Sequence, residues 1–214
     1  MFNINPATLI SRIIILLIAF SFHEFAHAYV ANAFGDDTPR RDGRLTLNPI
    51  AHLDLLGSIM LLFAGFGWAK PVQVNPYALQ RRSPSAMMWV SLAGPFSNLL
   101  LAIVAAIPLR FGLITYTGPG NGIIPTLFGF SIEFIYINLL LMVFNLLPIA
   151  PLDGEKIAEY LFPPSWARVL QTIRPYGPII LMAVIFILPM IGIDIFRLVI
   201  TPVISIIINF LLGV

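Results

Sequence analysis

Long apolar stretches separated by short polar segments make up most of this chain. Some of these stretches are long enough, or nearly so, to cross about 30 Å of hydrocarbon as a helix of roughly 20 residues. The pattern predicts an all-α membrane protein with a single membrane-embedded domain over 1–214 and a C-terminal helical hairpin at about 177–213. The predicted crossings occupy residues 9–33, 86–109, 132–151, 177–192 and 195–213.

One further apolar stretch, residues 53–67, is shorter and runs into a Gly-x-Gly-Trp-x-Lys-Pro cluster that is typical of turns. If it crosses the membrane, lysine and arginine divide almost evenly between the two sides. If it returns to the side it entered from, only Arg12, Arg110 and Arg197 lie opposite the other basic residues. Because basic residues concentrate on the cytoplasmic side, we expect about five transmembrane helices plus a re-entrant or β-hairpin-like segment, with 34–85 cytoplasmic. Six transmembrane helices are the alternative.

The composition agrees with a bilayer environment. Hydrophobic residues make up 58% of the 214 positions and charged residues only 10%, against about 25% charged in soluble domains. The chain has no cysteine, which excludes thiolate-bound metals, iron–sulfur clusters and thiol nucleophiles. Its net charge of +2 comes without a basic run, so no nucleic-acid partner is expected. The first apolar stretch lacks a charged start and a small-residue cleavage site, so we expect no cleavable signal peptide.

The first apolar stretch contains the sequence His23-Glu24-Phe25-Ala26-His27. Residues four apart lie on one face of a helix, so both imidazoles can bind one metal ion while Glu24 stands beside them to hold a water molecule. Each ionisable side chain at the centre of a membrane helix costs about 3 kcal/mol, and metal coordination compensates for that cost. The pattern predicts a zinc site; a hydrogen-bonded polar cluster without metal is the alternative.

A catalytic zinc ion usually has three protein ligands, so a third must come from elsewhere in the chain. Asp153 is a strong candidate because Pro148 and Pro151 interrupt the preceding helix and let the chain turn a side chain inward. Alternatively, Asp153 caps the helix that follows. For His52 and Asp54 a structural or outer-sphere role is favoured over metal binding. The remaining candidates are Glu133, Glu155 and Asp194.

Three motifs in this order resemble those of the site-2 protease family of intramembrane zinc metalloproteases. They are HEFAH in the first helix, Gly94-Pro95-Phe96-Ser97-Asn98 in the next crossing, and Asn145…Pro148…Leu152-Asp153-Gly154. The segments 48–52 and 67–76 are similar to the compact bacterial and archaeal branch without PDZ or CBS domains. The resemblance covers about residues 10–155, which places the expected catalytic core at 9–155.

This resemblance implies one zinc ion per chain, with His23, His27 and Asp153 as its ligands. It also implies that Glu24 is the general base and that Asn145 steadies the substrate carbonyl. The expected substrates are transmembrane proteins of a prokaryotic cell membrane, cleaved at a site nearer the cytoplasmic face in regulated intramembrane proteolysis. A separate regulatory or substrate-adaptor protein is a further expected partner.

The main alternative function is a membrane transporter in which Glu24 and the histidines relay protons or bind a cation. Transporters of that kind usually contain an inverted repeat, and we find none in the sequence.

A short segment after Pro71 has the alternation of a strand. Val72, Gln73 and Val74 are apolar, polar and apolar in turn. An exposed edge at this place could pair with an unwound stretch of substrate.

Overall fold

The structure, a computed structural model, describes residues 6–54, 56–57, 68–118 and 124–213. Helices account for the regular structure of this part of the chain, which confirms the all-α prediction. Four of them are long and apolar enough to cross a membrane: Pro6–Ala33, Ala86–Arg110, Leu127–Asn145 and Pro164–Met190. In chain order the helices are α1 (Pro6–Ala33), α2 (Thr38–Arg41), α3 (Pro49–His52), α4 (Pro76–Arg82), α5 (Ala86–Arg110), α6 (Leu127–Asn145), α7 (Asp153–Leu161), α8 (Pro164–Met190) and α9 (Phe196–Leu212).

Helices α1 and α5 pack against each other and run in opposite directions. Asn98, at the midpoint of α5, contacts His23 in the second half of α1. Ala86, the first residue of α5, is buried together with Ala31 near the end of α1. The end of α1 and the start of α5 therefore meet at one end of the bundle. The re-entrant arrangement requires this, whereas six complete crossings would separate these two ends by the thickness of the membrane.

Helices α6 and α9 complete the bundle by packing against α5. They share a hydrophobic cluster whose buried members come from all three helices: Ala102, Ala106, Ile135, Leu139, Met142, Val143, Ile200 and Ile204. At the far end of the bundle the Arg110 guanidinium donates to the carbonyls of Phe210 and Leu211, at 2.7 and 3.1 Å. Arg110 thereby satisfies two of the carbonyl groups that every helix leaves unpaired at its C-terminus.

The bounds of α6 differ from the predicted crossing at 132–151. The helix begins after Thr126, whose hydroxyl accepts a hydrogen bond from the Gly129 amide at 3.1 Å. It ends at Asn145, before the proline at 148 would interrupt its hydrogen bonds. Hydropathy does not register the Thr126 cap that fixes the start, and it places the end too late because the residues after Asn145 are apolar.

Helices α8 and α9 follow each other but pack mainly on different partners. The first half of α8 packs against α7. Near the middle of α8, the Gly177 backbone approaches Ala150 so closely that a side chain at 177 would overlap Ala150. The second half is exposed, including Ile179, Ile187 and Met190. An apolar helix with this exposure is compatible with lipid contact.

The apolar segment 53–67 lies mostly outside the described residues, so its path across or within the membrane stays a prediction. The described residues on either side of its undescribed part lie side by side. Leu53 and Ala69 form an isolated antiparallel bridge, and the Lys70 amide donates to the His52 carbonyl at 2.8 Å. The chain therefore leaves and rejoins the described structure at one place.

Candidate metal centre

Three potential ligand side chains from two distant parts of the sequence meet in the structure. His23 and His27 project from one face of α1, and Asp153 is the first residue of α7. Their ligand atoms all lie within 4.8 Å of one another. The two histidines are buried and Asp153 is partly buried, so the cluster is largely shielded from the surroundings.

The distances in this cluster match what a zinc ion needs. The Asp153 Oδ2 atom lies 3.2 Å from His23 Nε2 and 3.3 Å from His27 Nε2. A tetrahedral zinc ion with bonds of about 2.0–2.1 Å holds its ligand atoms about 3.3–3.4 Å apart. Both Asp153–histidine distances thus match a zinc ion, and a site with three protein ligands leaves a fourth position for water or substrate.

Hydrogen bonds at the other ring nitrogens fix which atoms face the metal position. His23 Nδ1 donates to Asn98 Oδ1 and His27 Nδ1 donates to the Val90 carbonyl, each at 2.7 Å. A carbonyl oxygen can only accept, so each Nδ1 must carry a hydrogen atom. Nε2 is then the nitrogen left to bind a metal, and zinc-bound histidines are commonly oriented in this way.

The partner of His23 is itself held by a chain of amide hydrogen bonds. Asn98 Nδ2 donates to Asn138 Oδ1 at 3.0 Å, and Asn138 Nδ2 donates to the Phe134 carbonyl at 2.9 Å. Both asparagines are fully buried. Asn98 thus links α5 to α6 and also orients a ligand, because its carbonyl oxygen must point to His23.

Gly94 leaves the space that the imidazole rings occupy. A Cβ atom at this position would lie only 2.6 Å from His23 Nε2 and closer still to His27 Nε2. Any side chain there would therefore displace the ligand atoms. The absence of a side chain at Gly94 therefore lets the two histidines pack against the α5 backbone.

Asp153 reaches the histidines because the chain turns sharply after α6. The Gly154 backbone passes so close to the Leu146 carbonyl that a side chain at 154 would overlap it. The capping alternative does not describe Asp153, since α7 has no side-chain cap and Leu152 occupies the N-cap position. Burial raises the pKa of the Asp153 carboxyl, and attraction to the facing imidazoles, when these are protonated, lowers it below its usual range. A bound metal ion would replace those protons as the positive charge beside the carboxylate.

Glu24 lies beside the cluster and is not one of its three members. It is buried, and its Oε2 atom accepts a hydrogen bond from the Val72 backbone amide at 3.1 Å. This bond brings the segment after Pro71 against α1. The sequence offered no signal for this contact, because the two residues are far apart and the donor is a backbone group.

The Asn145 side chain forms its hydrogen bond within its own helix and not with the ligand cluster. It is the last residue of α6 and is partly buried, and its side-chain amide donates to the Leu141 carbonyl at 2.9 Å. Its catalytic role stays a prediction.

The other candidate ligands have different partners. His52 is fully buried, with its Nε2 atom 2.7 Å from the Thr46 carbonyl. The structure therefore agrees with the structural role favoured for His52. The remaining acidic candidates accept hydrogen bonds elsewhere: Asp54 from the Gly57 amide, Glu133 from Arg12, Glu155 from Arg174 and Asp194 from the Arg197 amide.

Comparison with known proteins identifies relatives in bacteria and archaea. The chain is 43% identical over 190 residues to the protein named "Putative zinc metalloprotease YwhC" of Bacillus subtilis, covering 86% of this chain and 84% of that protein. It is 32% identical over 177 residues to "Putative zinc metalloprotease Rip2" of Mycolicibacterium smegmatis, covering 79% of this chain and 64% of Rip2. It is also 32% identical over 167 residues to "Putative zinc metalloprotease MJ0611" of Methanocaldococcus jannaschii, covering 78% of each. No protein-family model and no solved structure matches the chain.

Proposed function

Because the chain belongs to the zinc metalloprotease family of these relatives, we propose that it is an intramembrane endopeptidase of the site-2 protease type. It would hydrolyse peptide bonds within or near transmembrane segments of other membrane proteins. The observation that carries this proposal is the position of the His23, His27 and Asp153 cluster, with Glu24 beside it, between helices long and apolar enough to cross a membrane.

The chemistry divides between the metal and the chain. A zinc ion bound by His23, His27 and Asp153 would supply Lewis acidity toward a peptide carbonyl and would make water more acidic. Glu24 accepts the proton of the attacking water at its carboxylate and then passes it to the leaving amine. Since Val72 engages only Oε2, Oε1 is the oxygen that we assign to this proton transfer. Asn145 is proposed to donate its side-chain amide to the substrate carbonyl oxygen.

The proposed site is nearer the cytoplasmic face of a prokaryotic cell membrane. His27 lies six residues before the end of α1 at Ala33, which corresponds to about 9 Å of helix. The exposed arginines at this end of the bundle support its assignment to the cytoplasm, in α2 (Arg40, Arg41) and in α4 (Arg81, Arg82). Water would enter from this end without crossing lipid. Regulated proteolysis, with a separate adaptor or regulator, is part of the same proposal.

The segment 72–74 is the proposed contact for an extended substrate. Val72 and Val74 are partly buried and Gln73 is exposed, as in an extended chain lying along a surface. Successive backbone groups of an extended chain alternate in direction, so the Val74 amide faces the same side as the Val72 amide that meets Glu24. A substrate must unwind locally before a peptide bond is accessible, and pairing with this edge would satisfy its freed backbone groups.

Removal and return of the metal tests the proposed function. The substrate is a synthetic transmembrane peptide of about 20 apolar residues with a central Asn-Pro pair, which weakens the helix. We expect purified protein in liposomes to cleave this peptide. A chelator should remove both the bound zinc and the activity, and added zinc should restore both. Mass spectrometry of the products and metal analysis of the protein measure the two quantities.

A peptide with the proline replaced by leucine is the control, and we expect slower cleavage because its helix is continuous. Cleavage that continues after the zinc has been removed would contradict the proposal. Ion or proton transport that survives chelation, with the peptide intact, would instead support the transporter alternative.

A proline at position 74 tests the substrate-binding edge. Val74→Pro removes the amide that faces the Glu24 side, so we expect a rise in KM of about 10-fold, in line with the loss of a buried backbone hydrogen bond. Gln73→Pro is the matched control because it removes the amide that faces away, and Val74→Ala accounts for lost packing. Equal KM values for Val74→Pro and Val74→Ala would count against the edge.

A further inference from the structure

Two buried charged residues hold the segment that carries this edge. Arg44 is 5% exposed and Asp36 is 1% exposed, and both lie in the loop between α1 and α3. Within the described residues neither forms an ion pair with an oppositely charged side chain. Buried charges without such a partner are costly, so their hydrogen bonds to the backbone must satisfy them.

The Arg44 guanidinium binds the chain just before the edge. Its Nη2 atom donates to the carbonyls of Lys70 and Pro71, each at 3.0 Å, and its Nη1 atom donates to the Ala51 carbonyl. Arg44 thus binds the chain both before and after the apolar segment 53–67. The planar guanidinium suits this task because several donors on one rigid group fix both the distance and the angle.

The Asp36 carboxylate binds the chain just after the edge. Its Oδ2 atom accepts a hydrogen bond from the Asn75 amide at 2.6 Å, and its Oδ1 atom accepts one from the Thr38 amide at 2.9 Å. The Asn75 side chain then caps α4 by accepting hydrogen bonds from the amides of Tyr77 and Ala78, so the chain continues directly into a helix. The edge therefore has a fixed end on either side.

We propose that Arg44 and Asp36 are positioning residues that hold the 72–74 edge against Glu24 and so select which peptide bond of an extended substrate is cleaved. Between their attachment points the edge is only three residues long. Its one described backbone hydrogen bond, from Val72 to Glu24, links it directly to the catalytic carboxylate. A substrate paired with this edge has its register fixed relative to Glu24 and the ligand cluster. This inference rests on the proposed function.

The position of the cut distinguishes a positioning role from a general structural one. Arg44→Gln and Asp36→Asn each keep the approximate shape and remove the charge. We expect KM for the Asn-Pro peptide to rise by about 10-fold, with a smaller fall in kcat, because substrate pairing weakens more than the chemical step. We also expect a second product displaced by about two residues, since pairing registers that keep the same side chains on one face differ by two.

The matched controls are Arg41→Gln and Asp37→Asn, which change the same residue types at exposed positions of the same loop. We expect wild-type KM and a single cut for both. Zinc content measured for every variant reports whether the site is intact. If Arg44→Gln loses zinc, Arg44→Lys, which keeps the charge but not the planar set of donors, takes its place in the comparison.

The outcomes separate this inference from the proposed function. If the wild-type protein binds zinc but cleaves no transmembrane peptide, the proposed function is wrong and the positioning role is wrong with it. If the wild-type protein cleaves, while Arg44→Gln and Asp36→Asn cut the same single bond with unchanged KM, only the positioning role is overturned. A displaced second cut in these two variants, and in neither control, supports it.

Discussion

Replacement of Glu24 by glutamine is expected to reduce peptide cleavage by about 10²- to 10⁴-fold, the usual contribution of a general acid–base group. Glutamine has nearly the shape of glutamate, and its amide oxygen can still accept the hydrogen bond from the Val72 amide. It cannot take a proton from water. Glu24 is outside the cluster of three ligand atoms, so zinc content should stay at the wild-type level. Metal analysis and cleavage of the Asn-Pro peptide measure both effects in one preparation.

Retained activity in Glu24→Gln would rule out Glu24 as the base. Loss of activity together with loss of zinc would instead show that Glu24 supports the metal site. Asn145→Ala is the companion variant, and its expected loss is about 10²- to 10³-fold, the effect of removing one donor to a developing oxyanion. It should also retain zinc, because the Asn145 amide is bonded within its own helix.

Replacement of Asp153 by alanine is expected to lower zinc affinity by more than about 100-fold. Loss of an outer-sphere partner lowers metal affinity by up to about 100-fold, and loss of a ligand should lower it further. Asp153 supplies the only carboxylate of the ligand cluster, and its Oδ2 atom lies at 3.2 and 3.3 Å from the two Nε2 atoms. Without it, two neutral imidazoles face the metal. Competition with a chelator of known affinity measures the change, and cleavage should fall in parallel.

Asp54→Ala and His52→Ala are the matched controls, since both residues were alternative ligands. Asp54 accepts a hydrogen bond from the Gly57 amide and His52 contacts the Thr46 carbonyl, so zinc affinity should change little in either. Full zinc stoichiometry in Asp153→Ala, with loss in one of these variants, would transfer the third ligand to the residue whose loss removes the metal.

The helices were predictable from hydropathy because lipid imposes a simple rule: a crossing segment must be apolar and must satisfy its own backbone hydrogen bonds. The ends of helices depend on local capping, which hydropathy does not register. Residues 9–33 correspond closely to α1 (Pro6–Ala33), whereas 132–151 missed the start of α6 at the Thr126 cap and its end at Asn145.

The local part of the site was predictable for a similar reason. A spacing of four residues places His23 and His27 on one face whenever the segment is helical, so no tertiary information is needed to pair them. Asp153 is a different case. Its residue type and the nearby prolines made it one candidate among several, and only the path of the chain after α6 brings it to the histidines.

The sequence by itself determined that this protein is an all-α membrane protein and that α1 carries a paired-histidine motif, since composition and periodicity act along the chain. The tertiary structure decided which groups surround that motif. It placed Gly94 where the imidazoles need space, aimed Asn98 at His23, and turned the Val72 amide toward Glu24. These contacts join residues far apart in the sequence through backbone groups and packing distances, and such relations arise only when the helices assemble.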